Sequence, residues 1–398
     1  MNIFKKLYCR TFQAALKLAL PLMPYREPML LNDYANLVDV LMKEGKRNVL
    51  LVTDKGVRGL GLTRKLEQTL QQSGLRLTIF DGTVANPTTE NVDEALNLYK
   101  NDDCDSIVAF GGGSSMDCAK ATGARVACPR KSLGQMKGVL KVRKKLPLLI
   151  AIPTTAGTGS ETTLAAVITD SKTRHKYAIN DFSLIPRYAL LDANLTVGLP
   201  RHITSTTGMD ALTHAIEAYV GNSTTRQTRA KALLAVKLIF ENLEIAFNDG
   251  TNMLARENML KASYCAGLAF TKSYVGYVHA IAHSLGGKYN VAHGLANAVI
   301  LPHVLKMYGK KIHKKLWEMG VYANLFDEST PVDVGAELFI EKIETMNKNM
   351  EIGAKIDGIA EDDIGELAKT AEREANPLYP VPVLYTAKEL KQIYYKIK

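Results

Sequence analysis

An α/β half followed by an all-helical half is the fold class the sequence predicts, and three observations carry that expectation. Between about Arg47 and Leu191, short apolar runs ending in polar or glycine-containing turns alternate with helix-like stretches. After Leu199-Pro200 the strand-like runs stop and long periodic segments take over. A chain of 398 residues also exceeds what one ordinary core accommodates, so two domains are expected. The change of texture puts the boundary at 195 to 200. It gives an α/β domain over 1–199, with an N-terminal helical extension, and an all-helical domain over 200–398.

Taken in order, FKKLYCRTFQAALKLALPLMP sets basic residues before an apolar stretch. Lys17 interrupts that stretch and no A-x-A-like cleavage site follows, so an amphipathic helix packed on the body is expected rather than a signal peptide. The runs NVLLVTD, RLTIFDG, DSIVAFGGG, PLLIAIPTT and YALLDAN read as strands. LTRKLEQTLQQSG and TTENVDEALNLYKN, lying between them, read as helices. Such alternation implies βαβ units and a largely parallel, Rossmann-like sheet covered on both faces. In the second half, TRAKALLAVKLIFENLEIAFND and ARENMLKASYCAGLAFTKS carry helical periodicity. Beyond the Pro-rich NPLYPVPVLYT, a final helix is expected over TAKELKQIYYKIK.

Composition narrows the class of protein. With 46% hydrophobic and 23% charged residues the chain is an ordinary globular protein, and no uncharged apolar run reaches the roughly 18 residues a membrane span needs. No membrane partner is expected. Five cysteines at irregular spacing without CxxC argue against a disulfide framework and for a reducing compartment, the cytoplasm. The net charge of +10 favours phosphate-bearing partners. Its densest runs, Lys141 to Lys145 and Lys310 to Lys315, lack interleaved aromatics and read as solvated faces, not as a nucleic-acid surface. A homodimer is the base expectation for a soluble enzyme.

Four ionisable residues stand out for chemistry. Asp210 and His214 lie in GMDALTHAIE, and His279 and His293 in VHAIAHSLGGKYNVAHG. The pairs Asp210/His214 and His279/His283 are each i,i+4 and so project from one helix face. One carboxylate with neutral imidazoles suits zinc or iron(II), and spacing does not choose between them. Glu217, two turns after Asp210, either supports the site from behind or is a surface glutamate. His175, His202, His303 and His313 read as ordinary core or surface histidines.

Two glycine loops follow neighbouring strands. GGGSSMDCAK (Gly111 to Lys120) runs from a strand into a helix. Its glycines permit close backbone approach, and the helix N-terminus favours a phosphate. It is not GxGxxG, so the standard dinucleotide fingerprint is absent. IPTTAGTGSET (Ile152 to Thr162), rich in hydroxyls, follows the next strand. Paired loops beyond the carboxyl ends of strands are what a dinucleotide crevice requires, although βα turns alone have the same look. Asp54, ending NVLLVTD, is placed to accept hydrogen bonds from a ribose and to repel a 2′-phosphate, favouring NAD over NADP. It equally suits a turn or helix cap.

Together these residues resemble the iron-containing (group III) alcohol dehydrogenase family, from about residue 25 to the C-terminus. The family's first signature is matched by LLDANLTVGLPRHITSTTGMDALTHAIE and its second by GYVHAIAHSLGGKYNVAHGLANA. The resemblance implies a dehydroquinate synthase-like architecture, with an α/β dinucleotide-binding domain and an all-helical metal-binding and substrate domain. It implies that Asp210, His214, His279 and His293 hold Fe2+ or Zn2+, and that His283 lies near the nicotinamide and assists proton movement. Gly113 and Ser114 are implied for the pyrophosphate, with Asp54, Asn86, Thr154, Thr158, Thr163 and Lys176 on other parts of NAD. Gly112, Asp117 and Thr155 complete the set from the two loops. Ser205 and Ala292 depart from the family pattern: a small apolar residue is usual at the first position, and many members have proline at the second. The implied activity is hydride transfer between NAD(H) and a small primary alcohol or its aldehyde. A polyol dehydrogenase or another NAD-using relative of the superfamily is the alternative. A basic nucleic-acid-binding or catalytically silent assembly protein is the reading from another class, against which the intact ligand residues argue.

Overall fold

The computed structural model describes residues 1–173 and 175–398. The chain forms two compact units, Pro24–Thr196 in one and Met1–Met23 with Val197–Lys398 in the other.

Among the described residues, the α/β unit contains nine strands: β1 (Met29–Leu31), β2 (Asn48–Val52), β3 (Arg76–Phe80), β4 (Ser106–Gly111), β5 (Gly138–Val139), β6 (Leu148–Pro153), β7 (Ala165–Thr169), β8 (Lys176–Asn180) and β9 (Tyr188–Leu190). Six make a sheet in the order β1-β9-β6-β4-β2-β3, and every pairing in it is parallel. Along β2, β4 and β6, Leu50, Ile107 and Leu149 enter one apolar cluster while Val49, Val108 and Ile150 enter another. Successive side chains point to opposite faces, so the unbroken apolar runs reflect a sheet buried on both sides, as expected. Setting β1 aside, chain order across this sheet is 2-1-3-4-5, the flavodoxin-like form of a doubly wound sheet. Its topological switch lies between β2 and β4. A second, three-stranded sheet, β5-β8-β7, was not expected from the sequence, nor was the short edge strand β1.

In the helical unit, Arg201–Val220, Arg226–Asn248, Met253–Ser273, Tyr277–Tyr289 and His293–Tyr308 form the core. The first of these is buried on every side from Gly208 to Val220, as befits a helix enclosed by its neighbours. Asp210 and His214 are therefore interior residues. Among the described residues, no helix is long and apolar enough to cross a membrane.

One attachment differs from the expected division. Helix Ile3–Ala19 belongs with the helical unit, not with the α/β domain to which the sequence assigns 1–199. The reason is a set of hydrogen bonds to main-chain carbonyls. The Arg10 guanidinium donates to Val381 O at 2.7 Å and Pro382 O at 2.9 Å, and the Gln13 amide donates to Tyr379 O at 2.7 Å.

Candidate metal centre and glycine loops

Asp210, His214, His279 and His293 converge, with one potential ligand atom from each lying within 4.8 Å of all the others. The i,i+4 pair on Arg201–Val220 places His214 Nδ1 4.0 Å from Asp210 Oδ1. His279 comes from Tyr277–Tyr289, with its Nε2 3.8 Å from Asp210 Oδ1. His293 is the first residue of helix His293–Tyr308. Asn290, in the left-handed conformation at φ 54°, ends the preceding helix and turns the chain back, leaving His293 Nε2 3.4 Å from Asp210 Oδ1. Ala292 adopts φ −58°, close to the value proline would impose, so this departure from the family pattern leaves the approach to His293 intact. The next residue, Gly294, packs so tightly that a Cβ there would lie 2.4 Å from the Thr206 carbonyl oxygen. That contact seats the start of this helix on the helix carrying Asp210. Ser205 is buried and donates to His202 O at 3.2 Å.

Glu217 is buried, not a surface glutamate. Its Oε2 accepts from Gly276 N at 2.8 Å and His279 Nδ1 at 2.6 Å, and its Oε1 accepts from Val278 N at 2.8 Å. Burial pushes the carboxyl up to about 7, against the pull of the N–H donors around it. The carboxylate fixes the His279 tautomer, with the proton on Nδ1 and the Nε2 lone pair facing Asp210. Burial, reinforced by His214, His293 and His283, drives His279 well below the usual imidazole range. A neutral imidazole is the form that binds metal.

Asn297, one helical turn after His293 and fully buried, places its amide Nδ2 2.6 Å from Asp210 Oδ1, 3.1 Å from His293 Nε2 and 3.3 Å from His279 Nε2. Three acceptors thus surround one amide NH2 that has only two hydrogens to give, and a carboxylate with three imidazoles is a donor set suited to Fe2+ or Zn2+. The residues fit a divalent ion.

His283 is half exposed, and its ring stacks on His293 with centroids 5.2 Å apart. Its Nδ1 donates to Glu374 Oε1 at 2.6 Å, and the same oxygen accepts from Tyr379 OH at 2.7 Å. Burial tends to raise the Glu374 carboxyl, but His283, with Tyr379 and His293, holds the group below the usual carboxylate range. The other histidines have ordinary settings; His313, for instance, donates to Asp333 at 2.7 Å.

In the α/β unit the two loops meet at the carboxyl edge of the sheet. Gly111 pairs with Pro153, and Thr154 N donates to Gly111 O at 3.1 Å. A Cβ on Gly113 would lie 3.1 Å from Thr158 Cγ2, and one on Gly112 would lie 3.7 Å from Thr155 Oγ1, so the missing side chains keep the space between the loops open. Gly112 caps helix Gly113–Ala127 without a side chain. The first N–H groups of that helix, including those of Gly113 and Ser114, are therefore left for an anion. Asp54 spans the switch between β2 and β4. Its Oδ1 accepts from Val57 N at 2.9 Å, capping helix Lys55–Gly59, and its Oδ2 accepts from Ser115 Oγ at 3.2 Å. The cap expected as an alternative is real and leaves the carboxylate at the crevice.

Asn86 and Lys176 also come together, since Lys176 Nζ donates to Asn86 Oδ1 at 2.6 Å while Asn86 N donates to Ser114 Oγ at 3.3 Å. Asp117 and Thr163 turn inward instead. Asp117 accepts from Ser160 Oγ at 3.1 Å and Val167 N at 3.0 Å. Thr163 Oγ1 accepts from Lys120 Nζ at 2.8 Å. Lys120, fully buried, donates also to Ser160 Oγ, Thr163 O and Ala165 O, and burial pushes it down to about 8. It is the pin beneath the second loop, a role that sequence reasoning missed although the residue closes the first loop motif. Glu374 was missed as well, and 91 residues separate it from His283. Asn297 had a visible signal in its i,i+4 spacing from His293.

A doubly wound sheet with paired glycine loops, in a chain that also carries a cluster of one aspartate and three histidines, is the equipment of a metal- and nucleotide-linked oxidoreductase. Comparison with known proteins makes the class specific. The family model for iron-containing alcohol dehydrogenase matches residues 31–193, and that for the C-terminal domain of the same family matches 204–397. The chain belongs to the iron-containing alcohol dehydrogenase family. It is 37% identical over 354 residues to 1,3-propanediol dehydrogenase of Citrobacter freundii, covering 88% of this chain and 91% of the relative. It is 40% identical over 336 residues to NAD-dependent methanol dehydrogenase of Bacillus methanolicus, covering 83% and 87%. The crystal structure of sulfoacetaldehyde reductase from Bifidobacterium kashiwanohense in complex with NAD+ superposes with a TM-score of 0.82 at 28% identity, covering 94% of this chain and 98% of that one.

Proposed function

We propose that this chain transfers hydride between NAD(H) and a small primary alcohol or its aldehyde, with a divalent ion held by Asp210, His214, His279 and His293. The observation that carries the reading is the convergence of those four ligand atoms in a member of this family. Fe2+ is the ion the family name points to, and Zn2+ suits the same donors. An ion held there supplies Lewis acidity toward the substrate oxygen, and NAD(H) supplies the hydride acceptor or donor.

The chain's own residues bind, orient and move protons. Glu217 sets the tautomer and direction of His279, and Asn297 donates to Asp210. Gly112, Gly113, Ser114, Thr154, Thr155 and Thr158 form the open, hydroxyl-lined edge that receives the dinucleotide, while Asp117 and Thr163 hold its shape from beneath. Asn86 and Lys176 extend that edge. Asp54 offers a negative charge that a 2′-phosphate would oppose. The names of the Bacillus and Bifidobacterium relatives support NAD as the cofactor. His283, oriented through Nδ1 by Glu374, passes a proton to solvent.

The Citrobacter relative, a 1,3-propanediol dehydrogenase, supports extending the substrate class to terminal diols. All five cysteines are buried thiols, which supports a cytoplasmic assignment. The test is anaerobic purification with elemental analysis, followed by NADH absorbance with a panel of primary alcohols and diols. Stoichiometric metal and alcohol-dependent NADH formation are expected. A metal-loaded protein that oxidises none of the panel with NAD, and reduces none of the matching aldehydes with NADH, overturns the reading.

A further inference from the structure

Helix Ile3–Ala19 lies outside the family match, which begins at residue 31, and it is held by one face only. Cys9 and Gln13 are buried on that face, where Arg10 and Gln13 grip the carbonyls of Tyr379, Val381 and Pro382. At about 100° per residue, Ile3, Phe4, Leu7, Tyr8 and Leu18 share a single arc of roughly 140° on the opposite side. Their exposures are 76%, 81%, 65%, 60% and 80%, and Leu22 just beyond the helix is 86% exposed. Scattered surface leucines need no explanation, but a contiguous apolar stripe does.

Charge identifies what covers it. Residues 1–26 contain no Asp or Glu, while Lys5, Lys6, Arg10 and Lys17 all lie on the helix. Lys5 is paired with Glu372 and Arg10 is spent on carbonyls. Lys6 and Lys17 border the apolar arc and have no ion-pair partner among the described residues. An apolar stripe edged with lysines and free of acids complements an anionic lipid surface, where the apolar side chains enter the headgroup boundary and the cations meet phosphates. The lysine stems can reach along the boundary while the ammonium groups stay in the polar layer.

We propose that helix Ile3–Ala19 docks this protein in the plane of an anionic membrane surface. The sequence suggested no membrane partner because no spanning run exists, and in-plane attachment needs none.

The test is co-sedimentation of the full-length protein with phosphatidylcholine vesicles containing or lacking phosphatidylserine. Wild type is expected to bind the anionic vesicles, to leave pure phosphatidylcholine largely unbound, and to lose affinity as salt is raised. Lys6→Gln with Lys17→Gln is expected to weaken binding roughly 25-fold, at about fivefold per cation. Leu7→Glu with Leu18→Glu should abolish it. Both pairs are exposed, so thermal unfolding and bound metal should match wild type, which separates loss of docking from loss of fold. Wild type that ignores anionic vesicles overturns the proposal, as does a Leu7→Glu/Leu18→Glu variant that binds them unchanged. A wild-type oligomer that dissociates in that variant, with no vesicle binding by either protein, also overturns it and assigns the stripe to a second copy of the chain.

Discussion

Replacing Glu217 by glutamine removes one charge and puts two N–H donors where the wild type offers only acceptors. Three donors point at this side chain, Val278 N at Oε1 and Gly276 N with His279 Nδ1 at Oε2. A Glu217→Gln amide can face them in two ways. Either its NH2 opposes Val278 N–H, or it opposes Gly276 N–H and His279 Nδ1–H together. Each way leaves a buried donor unsatisfied, at about 1–3 kcal/mol of stability. His279 also loses the carboxylate that directs its Nε2 lone pair, a loss typically worth 10–100-fold in metal affinity, or about 1.4–2.7 kcal/mol. Competition against a chelator of known affinity measures the second effect, and thermal unfolding of the metal-free protein measures the first. We expect a folded variant with a lowered midpoint and weakened metal binding, whose kcat recovers when excess ion is supplied. Wild-type metal affinity with an unchanged midpoint would refute the reasoning.

Three further outcomes follow from the geometry. His279→Ala is expected to lose metal and activity together, whereas His283→Ala keeps metal but turns over more slowly; elemental analysis beside steady-state kinetics distinguishes them, and a metal-free but fully active His279→Ala sinks the assignment. Asp54→Asn retains an N-cap for Lys55–Gly59 while removing the charge, so the ratio of kcat/KM for NADP to that for NAD should rise at least about fivefold; an unchanged ratio counts against Asp54 as the discriminating group. Glu161, buried near Lys120, has its carboxyl pushed up to about 7 by burial. It therefore binds its proton more tightly folded than unfolded, so its stabilisation is full below pH 4.5 and is lost as pH rises through about 7, by on the order of 3 kcal/mol. Glu161→Gln should flatten the fall of the unfolding midpoint between about pH 5 and 7.5, and identical pH slopes for the two proteins would be the contrary result.

The convergence of Asp210, His214, His279 and His293 was legible because helices and short turns impose spacing: the first two lie four apart, the last two on either side of one turn. The glycine loops were legible because a strand running into consecutive glycines and then a helix marks a turn that leaves N–H groups open, and at Gly111, with φ 148°, a Cβ would lie 2.6 Å from Ser115 Oγ. What the sequence hid is where unlike segments meet. Glu374 finds His283 across 91 residues, and nothing in its neighbourhood marks the encounter. The order of the sheet was hidden because β2, β4 and β6 are apolar on both faces, so any adjacency satisfies the pattern. Attachment of the N-terminal helix to the helical unit depends on Arg10 and Gln13 reaching main-chain carbonyls, acceptors that every residue possesses and no sequence distinguishes. The buried Glu217 differed from a surface glutamate only by the company of Gly276 and Val278, which two turns of helix could not reveal.

The central claim is that the Asp210, His214, His279 and His293 cluster holds the ion on which alcohol oxidation depends. Its most direct test is the rate of alcohol-dependent NADH formation in anaerobically prepared enzyme before chelation, after exhaustive chelation, and after stoichiometric Fe2+ is returned. The account predicts a rate that falls to background with the metal and recovers with it. Undiminished NADH formation by protein shown to be metal-free would contradict it.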